Sequence, residues 1–202
     1  LYILMLTFSS YSIPTAISKL VSEKLEEGRK DEAHKIFKVA MWLLGTIGLI
    51  LSVVLYMNAK AFSQAFKNPD SYLAVLAVSP AIFTVSISGA FRGYFQGMQN
   101  MTPSAVSQVT EQISRVLVGF LLAYLLLPMG YKVSAAGAIF GTSVGGFVSF
   151  ITLYIIYSKN KTRIKVELMD YAGRKTESSA SIINRIIKFS LPIMIGGSIM
   201  PI

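Results

Sequence analysis

Apolar positions in this chain gather into runs long enough to cross a bilayer, and polar positions collect between the runs or in one narrow stripe. A membrane helix needs about 20 largely apolar residues, at about 1.5 Å each across a core of about 30 Å. Residues 1–17, 39–57, 72–91, 103–127 and 133–157 meet or approach that length, and a further run opens at residue 189. The pattern predicts an all-α, polytopic membrane helical bundle. Because the outermost runs reach residues 1 and 202, the ends read as cuts through membrane helices, so a fragment of a longer transporter-like chain is expected. The first run lacks a charged leader and a cleavage site, which argues against a signal peptide.

The polar segments alternate in charge. Residues 19–38 hold Lys19, Lys24, Arg29, Lys30, Lys35 and Lys38, whereas 58–71 hold only the cations Lys60 and Lys67. The turn after the third run contains Arg92, residues 128–132 contain Lys132, and 158–188 hold Lys159, Lys161, Arg163, Lys165, Arg174, Lys175, Arg185 and Lys188. The positive-inside rule then makes 19–38 and 158–188 cytoplasmic. Within 19–38 acidic residues interleave with the lysines and Gly28 interrupts the pattern, which predicts two short cytosolic helical pieces with Asp31 capping the second. That loop reads as a solvated charged surface, or as a surface for a partner or lipid headgroups, and His34 in it as a surface histidine with no second ligand at metal spacing.

Composition agrees with a membrane protein and removes other classes. The chain is 53% hydrophobic and 14% charged, against about a quarter charged in ordinary soluble domains. Its net charge of +9 lies in loops without aromatic interleaving, so no nucleic acid partner is expected. Cysteine is absent, which removes disulfides, thiolate nucleophiles and cysteine metal sites.

The polar stripe is the candidate site. On a helix Ser104, Gln108, Glu111, Gln112 and Arg115 fall within an arc of about 100°. If that span starts at Pro103, Glu111 lies about 12 Å and Arg115 about 18 Å along it. A central arginine costs about 2.5–3.5 kcal/mol and needs a carboxylate, carbonyls, water or a ligand. Two readings stay open: Glu111 and Arg115 form a structural ion pair, or Arg115 and Arg92 attract an anionic headgroup while Glu111 neutralises the empty site or binds a coupling cation. Ser10 and Tyr11 share a face with Thr7, Pro14 and Ser18, which fits either a cavity wall or helix packing. Pro14 and Pro80 are expected to bend their helices, and Gly137, Gly141 and Gly145 to admit another helix closely. No phosphate-loop frame accompanies these glycines.

Residues 1–157 are expected to form one lobe, 158–188 a cytosolic linker with a short amphipathic helix over 181–188, and 189–202 the start of a second-lobe helix. Two stretches carry a family likeness: Ser12-Ile13-Pro14-Thr15-Ala16-Ile17-Ser18-Lys19-Leu20-Val21-Ser22-Glu23, and Arg92-Gly93-Tyr94-Phe95-Gln96-Gly97-Met98-Gln99-Asn100-Met101-Thr102-Pro103. With the Glu111/Arg115 helix they resemble the polysaccharide-biosynthesis and stage V sporulation protein B group of the multidrug/oligosaccharidyl-lipid/polysaccharide (MOP) exporter superfamily. The resemblance implies the N-terminal lobe of a two-lobed, MATE-like transporter in the bacterial plasma membrane. Its implied activity is export or flipping of undecaprenyl-linked saccharides, lipid II among them, by alternating access. The implied partners are the lipid-linked saccharide and the bilayer, with no cofactor beyond a coupling ion, H+ or Na+. A cation-coupled multidrug antiporter would favour several cavity carboxylates, whereas Glu111 is the one acid within the predicted spans. A non-transporting assembly scaffold is a further alternative. An embedded glycosyltransferase or phosphatase would need a carboxylate cluster or acid/base pair, while Asp70 and Asp170 stand alone and His34 lacks partners, so no enzyme is expected.

Overall fold

The computed structural model describes residues 13–65, 71–169 and 177–199, with the side chains of 161–169, 191 and 193–199 left aside. Among the described residues every regular element is helical: α1 Ile13–Glu26, α2 Lys30–Met57, α3 Ala59–Ala65, α4 Tyr72–Gly97, α5 Thr102–Leu125, a 3-10 turn Leu127–Met129, α6 Tyr131–Met169 and α7 Ser179–Ile199. The all-α expectation holds. Lys30–Met57, Tyr72–Gly97 and Tyr131–Asn160 are long and apolar enough to cross a membrane. Much of their apolar surface stays exposed, Trp42, Ile50 and Phe147 included, as lipid-facing helices require.

Several boundaries differ from the run lengths. Residues 19–38 do not form separate cytosolic pieces: α1 continues through Lys24, and α2 begins at Lys30, so Asp31 sits in its first turn rather than at its cap. The 58–71 loop contains α3. Helix α6 continues past Tyr157 to Met169, and residues 181–188 are the opening turns of α7 rather than a separate helix. In both cases charged helix formers extend a helix beyond its apolar window, because backbone hydrogen bonding does not need lipid. The span expected over 103–127 is α5, which is not among those three apolar helices. Its polar stripe lowers its hydropathy.

Two tight turns end helices by the same device. Arg29 N–H donates to Lys24 O at 2.8 Å and Gly28 N–H to Leu25 O at 3.0 Å, with Gly28 at φ +71°. This Schellman arrangement needs a left-handed residue, which glycine supplies without strain. At the end of α4 the same bonds run from Asn100 to Phe95 and from Gln99 to Gln96, and here Gln99 takes φ 58°. Asn100 Oδ1 then accepts the Thr102 amide at 3.2 Å and starts α5.

The chain divides into two compact units. In the first (residues 1–44, 89–104 and 153–202) α1 packs against α4. A Cβ on Gly93 would lie 2.8 Å from Ile17 Cβ, and one on Gly97 2.6 Å from Val21 Cβ. The two motifs that carry the family likeness therefore meet each other across a glycine-lined crossing. Phe37, Phe91, Tyr94 and Tyr157 stack beside it, with Phe37 and Tyr94 centroids 4.5 Å apart.

The second unit holds 45–88 and 105–152. Here α6 closes on α5: a Cβ at Gly141 would lie 2.6 Å from Arg115 O and 2.7 Å from Gly119 Cα. These contacts are with backbone, which cannot rotate away. Gly141→Ala is thus expected to cost about 1–3 kcal/mol by overpacking, seen as a lower detergent melting temperature of the full-length protein. An unchanged melting temperature would show that the crossing opens freely.

Pro80 lies inside an unbroken α4. Lacking an N–H, it frees the carbonyl four residues back. That carbonyl, Leu76 O, accepts the Ser79 hydroxyl at 2.9 Å, while Ala77 O accepts Ser143 Oγ at 2.6 Å and Ser79 O accepts Ser52 Oγ at 2.8 Å. Hydroxyls thus satisfy the backbone around the proline, as membrane spans require. Pro14 is buried in the first turn of α1, where its ring lies 3.5 Å from the Cβ position of Gly89.

Candidate functional site

On α5 the 3.6-residue period brings Glu111 and Arg115 together. Arg115 Nη2 donates to Glu111 Oε1 at 2.9 Å, and the side chains are 35% and 9% exposed. Glycine on α6 makes room for them, since a Cβ at Gly145 would lie 2.8 Å from Glu111 O and 3.2 Å from Arg115 Cβ. Arg115 Nε is buried without a hydrogen-bond partner. The guanidinium is a fixed cation with five donors, and this one is unused.

The rest of the predicted stripe divides. Ser104 is buried beside Ser107 and Glu111 on one edge, whereas Gln108 and Gln112 are exposed on the other. Arg92 is half-buried near the end of α4, in the first unit, and its neighbours Gly93 and Gly97 are the packing residues of the α1 crossing. Ser10, Tyr11 and Thr7 lie outside the described residues, as do Asp70 and Asp170.

The first unit contains a charged cluster that sequence reading treats as solvated surface. The structure corrects this. Glu32 is 2% exposed and Lys24 8%, and they lie 3.5 Å apart. Lys24 Nζ also meets Glu27 at 2.7 Å, and Arg29 pairs with Glu32. Glu32 Oε1 accepts the backbone N–H of Glu177 at 3.1 Å. Arg185 bridges Glu23 at 2.6 Å and Glu177 at 3.3 Å. The acid/base spacings within 23–32 are legible in sequence, but nothing local announces Arg185 as the partner of Glu23.

His34 is likewise not a surface histidine. It is 7% exposed and stacks on Tyr157 with ring centroids 6.3 Å apart, beside Phe37 and Tyr94. Its Nδ1 is buried without a hydrogen-bond partner. The helical period of α2 turns it inward with Phe37, three residues on.

The Ser181 hydroxyl and then Arg185 hold the Glu177 carboxyl below the usual carboxylate range. A lowered carboxyl stabilises the fold above its ordinary range, and the benefit fades as pH falls through its folded value. Amides at the head of α7 are therefore expected to keep their hydrogen-exchange protection from neutral pH down into the ordinary carboxylate range and lose it below. Loss of protection above that range would contradict this role for Glu177.

Comparison with known proteins adds to this geometry. The family model described as Polysaccharide biosynthesis protein matches residues 1–202. The chain belongs to that family. Among individual relatives, stage V sporulation protein B of Bacillus subtilis (strain 168) is 28% identical over 192 residues, which cover 95% of this chain and 36% of that protein. Lipid II flippase MurJ of the same organism is 27% identical over 213 residues, covering 100% of this chain and 39% of the relative. An uncharacterised membrane protein, YabM, also from that organism, is 30% identical over 95% of this chain and 35% of its own length. The chain thus spans little more than a third of the curated relatives it matches. No solved structure matches it. The family likeness read from residues 12–23 and 92–103 is borne out, and with its apolar helices the chain is a membrane protein of the polysaccharide biosynthesis family.

Proposed function

We propose that this chain is the N-terminal part of a flippase that moves undecaprenyl-linked saccharide, lipid II or a polysaccharide precursor, across the bacterial plasma membrane by alternating access. The observation that carries this reading is Arg115: in a member of the polysaccharide biosynthesis family, its guanidinium keeps one buried donor unused. A diphosphate headgroup is the ligand chemistry that suits it, because a guanidinium donates two parallel hydrogen bonds to phosphate oxygens. Glu111 neutralises the cation while the site is empty and offers a place for a coupling ion, H+ or Na+. Gln108 and Gln112, exposed on the same turns, supply donors and acceptors for sugar hydroxyls.

In this reading residues 1–157 form the first lobe, 158–188 the cytosolic connection and 189–202 the opening of the second lobe, with 19–38 and 158–188 on the cytoplasmic side. The similarity to a protein named as a lipid II flippase supports the substrate class. The chemistry resides in transport rather than in bond cleavage. Reconstituted full-length protein tests this directly: fluorescent undecaprenyl-linked saccharide should cross proteoliposome bilayers while a cationic dye does not. Gradient-driven dye efflux without saccharide movement would instead make the protein a cation-coupled antiporter.

A further inference from the structure

The geometry points to a releasable ionic latch in the first unit, in which Arg185 holds the head of α7 to Glu23 of α1 and lets go without ever losing a counter-ion. Arg185 has two carboxylates. One, Glu23, belongs to α1 and lies at 2.6 Å; the other, Glu177, lies eight residues back on its own segment at 3.3 Å. If α7 leaves α1, Arg185 keeps Glu177.

The second tether has the same duplication. Glu32 accepts the Glu177 N–H, and it is also paired with Lys24 and Arg29, which belong to the α1–α2 hairpin. When the Glu177 amide departs, Glu32 remains neutralised. The groups that would be uncovered are those water can reach: Arg185 is 28% exposed, Glu177 23% and Glu23 37%, against 2% for Glu32 and 8% for Lys24. The network is therefore graded, with a buried socket on the hairpin and a partly solvated bolt on α7. Partly solvated pairs are weak, and stranding a buried charge is what makes a pair hard to break. No buried charge is stranded when this pair opens. Ile182 and Ile186 bury one apolar stripe of α7 beside the bolt, and Lys19 Nζ sits 4.5 Å over the Phe189 ring, so the closed state has a defined seat.

The place of this latch in a transport cycle rests on the flippase reading; its opening does not. The test uses full-length protein carrying spin labels at Glu26→Cys and Asn184→Cys, exposed positions on α1 and α7 in a segment with no native cysteine. Double electron–electron resonance is expected to show two distance populations, the shorter matching this structure. Glu23→Gln should lower the short fraction at least threefold. Glu177→Gln should raise it, because Arg185 then has only Glu23 to pair with. A single short population in all three proteins would overturn the latch, and so would a Glu177→Gln protein that opens as far as Glu23→Gln. Absence of saccharide flux with both populations intact would sink the transport reading and leave the latch standing.

Discussion

Arg115→Ala in the full-length protein is expected to reduce the initial rate of lipid-linked saccharide translocation by about a hundredfold or more, from two charge-assisted hydrogen bonds of about 1.5–3 kcal/mol each. The loss has to be separated from a loss of fold. Glu111 is only 9% exposed, so removing the guanidinium takes a charge partner away from a carboxylate in a nearly dry site. The companion variant Glu111→Gln/Arg115→Met removes both charges while keeping an unbranched side chain at each position. It is expected to restore folded yield and leave flux at the Arg115→Ala level. Recovery of flux along with fold would make the pair purely structural, a tie within α5 whose charge the substrate never meets.

Phe37→Ala is expected to destabilise the protein by about 3–5 kcal/mol, the usual cost of emptying a buried aromatic site. Phe37 is 1% exposed and touches the rings of His34, Phe91, Tyr94 and Tyr157, with centroids 5.9, 5.1, 4.5 and 5.3 Å away. These rings come from α2, α4 and α6, so one side chain joins three helices of the first unit. Its removal leaves a cavity that helices held by glycine crossings cannot collapse to fill. The measurement is the detergent melting temperature of the full-length protein, with Phe37→Leu falling between the two. A change too small to resolve would mean that the stack closes over the gap.

The existence of the helices is legible because runs of apolar residues near bilayer length have few other folded states, and α2, α4 and α6 follow from that alone. The Glu111/Arg115 pair is legible too, since four residues on a helix bring the side chains within reach of each other. Where α6 ends is not legible: Lys159 to Met169 is polar enough to look like a loop, yet its residues are good helix formers. The division of the stripe is hidden as well, because Gln108 and Glu111 differ little in helical angle and only the position of α6 decides which is covered.

Long-range chemistry is the least legible. Gly93 and Gly97 look like parts of a cytoplasmic turn motif, and their task is to let α1 approach within backbone contact. His34 looks solvated among lysines, and becomes buried because Tyr94 and Tyr157 arrive from distant segments. Arg185 sits in a basic stretch that resembles a topology signal until Glu23 and Glu177 meet it. For the glycines and His34 the local pattern is compatible with water and the partner that excludes it lies on another helix; for Arg185 the partner that sequence distance hides is Glu23 of α1.

On the flippase reading, the exposed edge of the α5 stripe is the path of an anionic, saccharide-bearing headgroup. Photo-crosslinking tests it with least intervening inference, using p-benzoylphenylalanine at Gln112, on that edge, or at Phe120, on the exposed apolar face of α5. Radiolabelled lipid-linked saccharide in membranes containing the full-length protein should label the Gln112 site strongly, and the signal should fall when Arg115→Ala is added. Equal labelling at Gln112 and Phe120, or labelling at Gln112 that is indifferent to Arg115, would contradict the account.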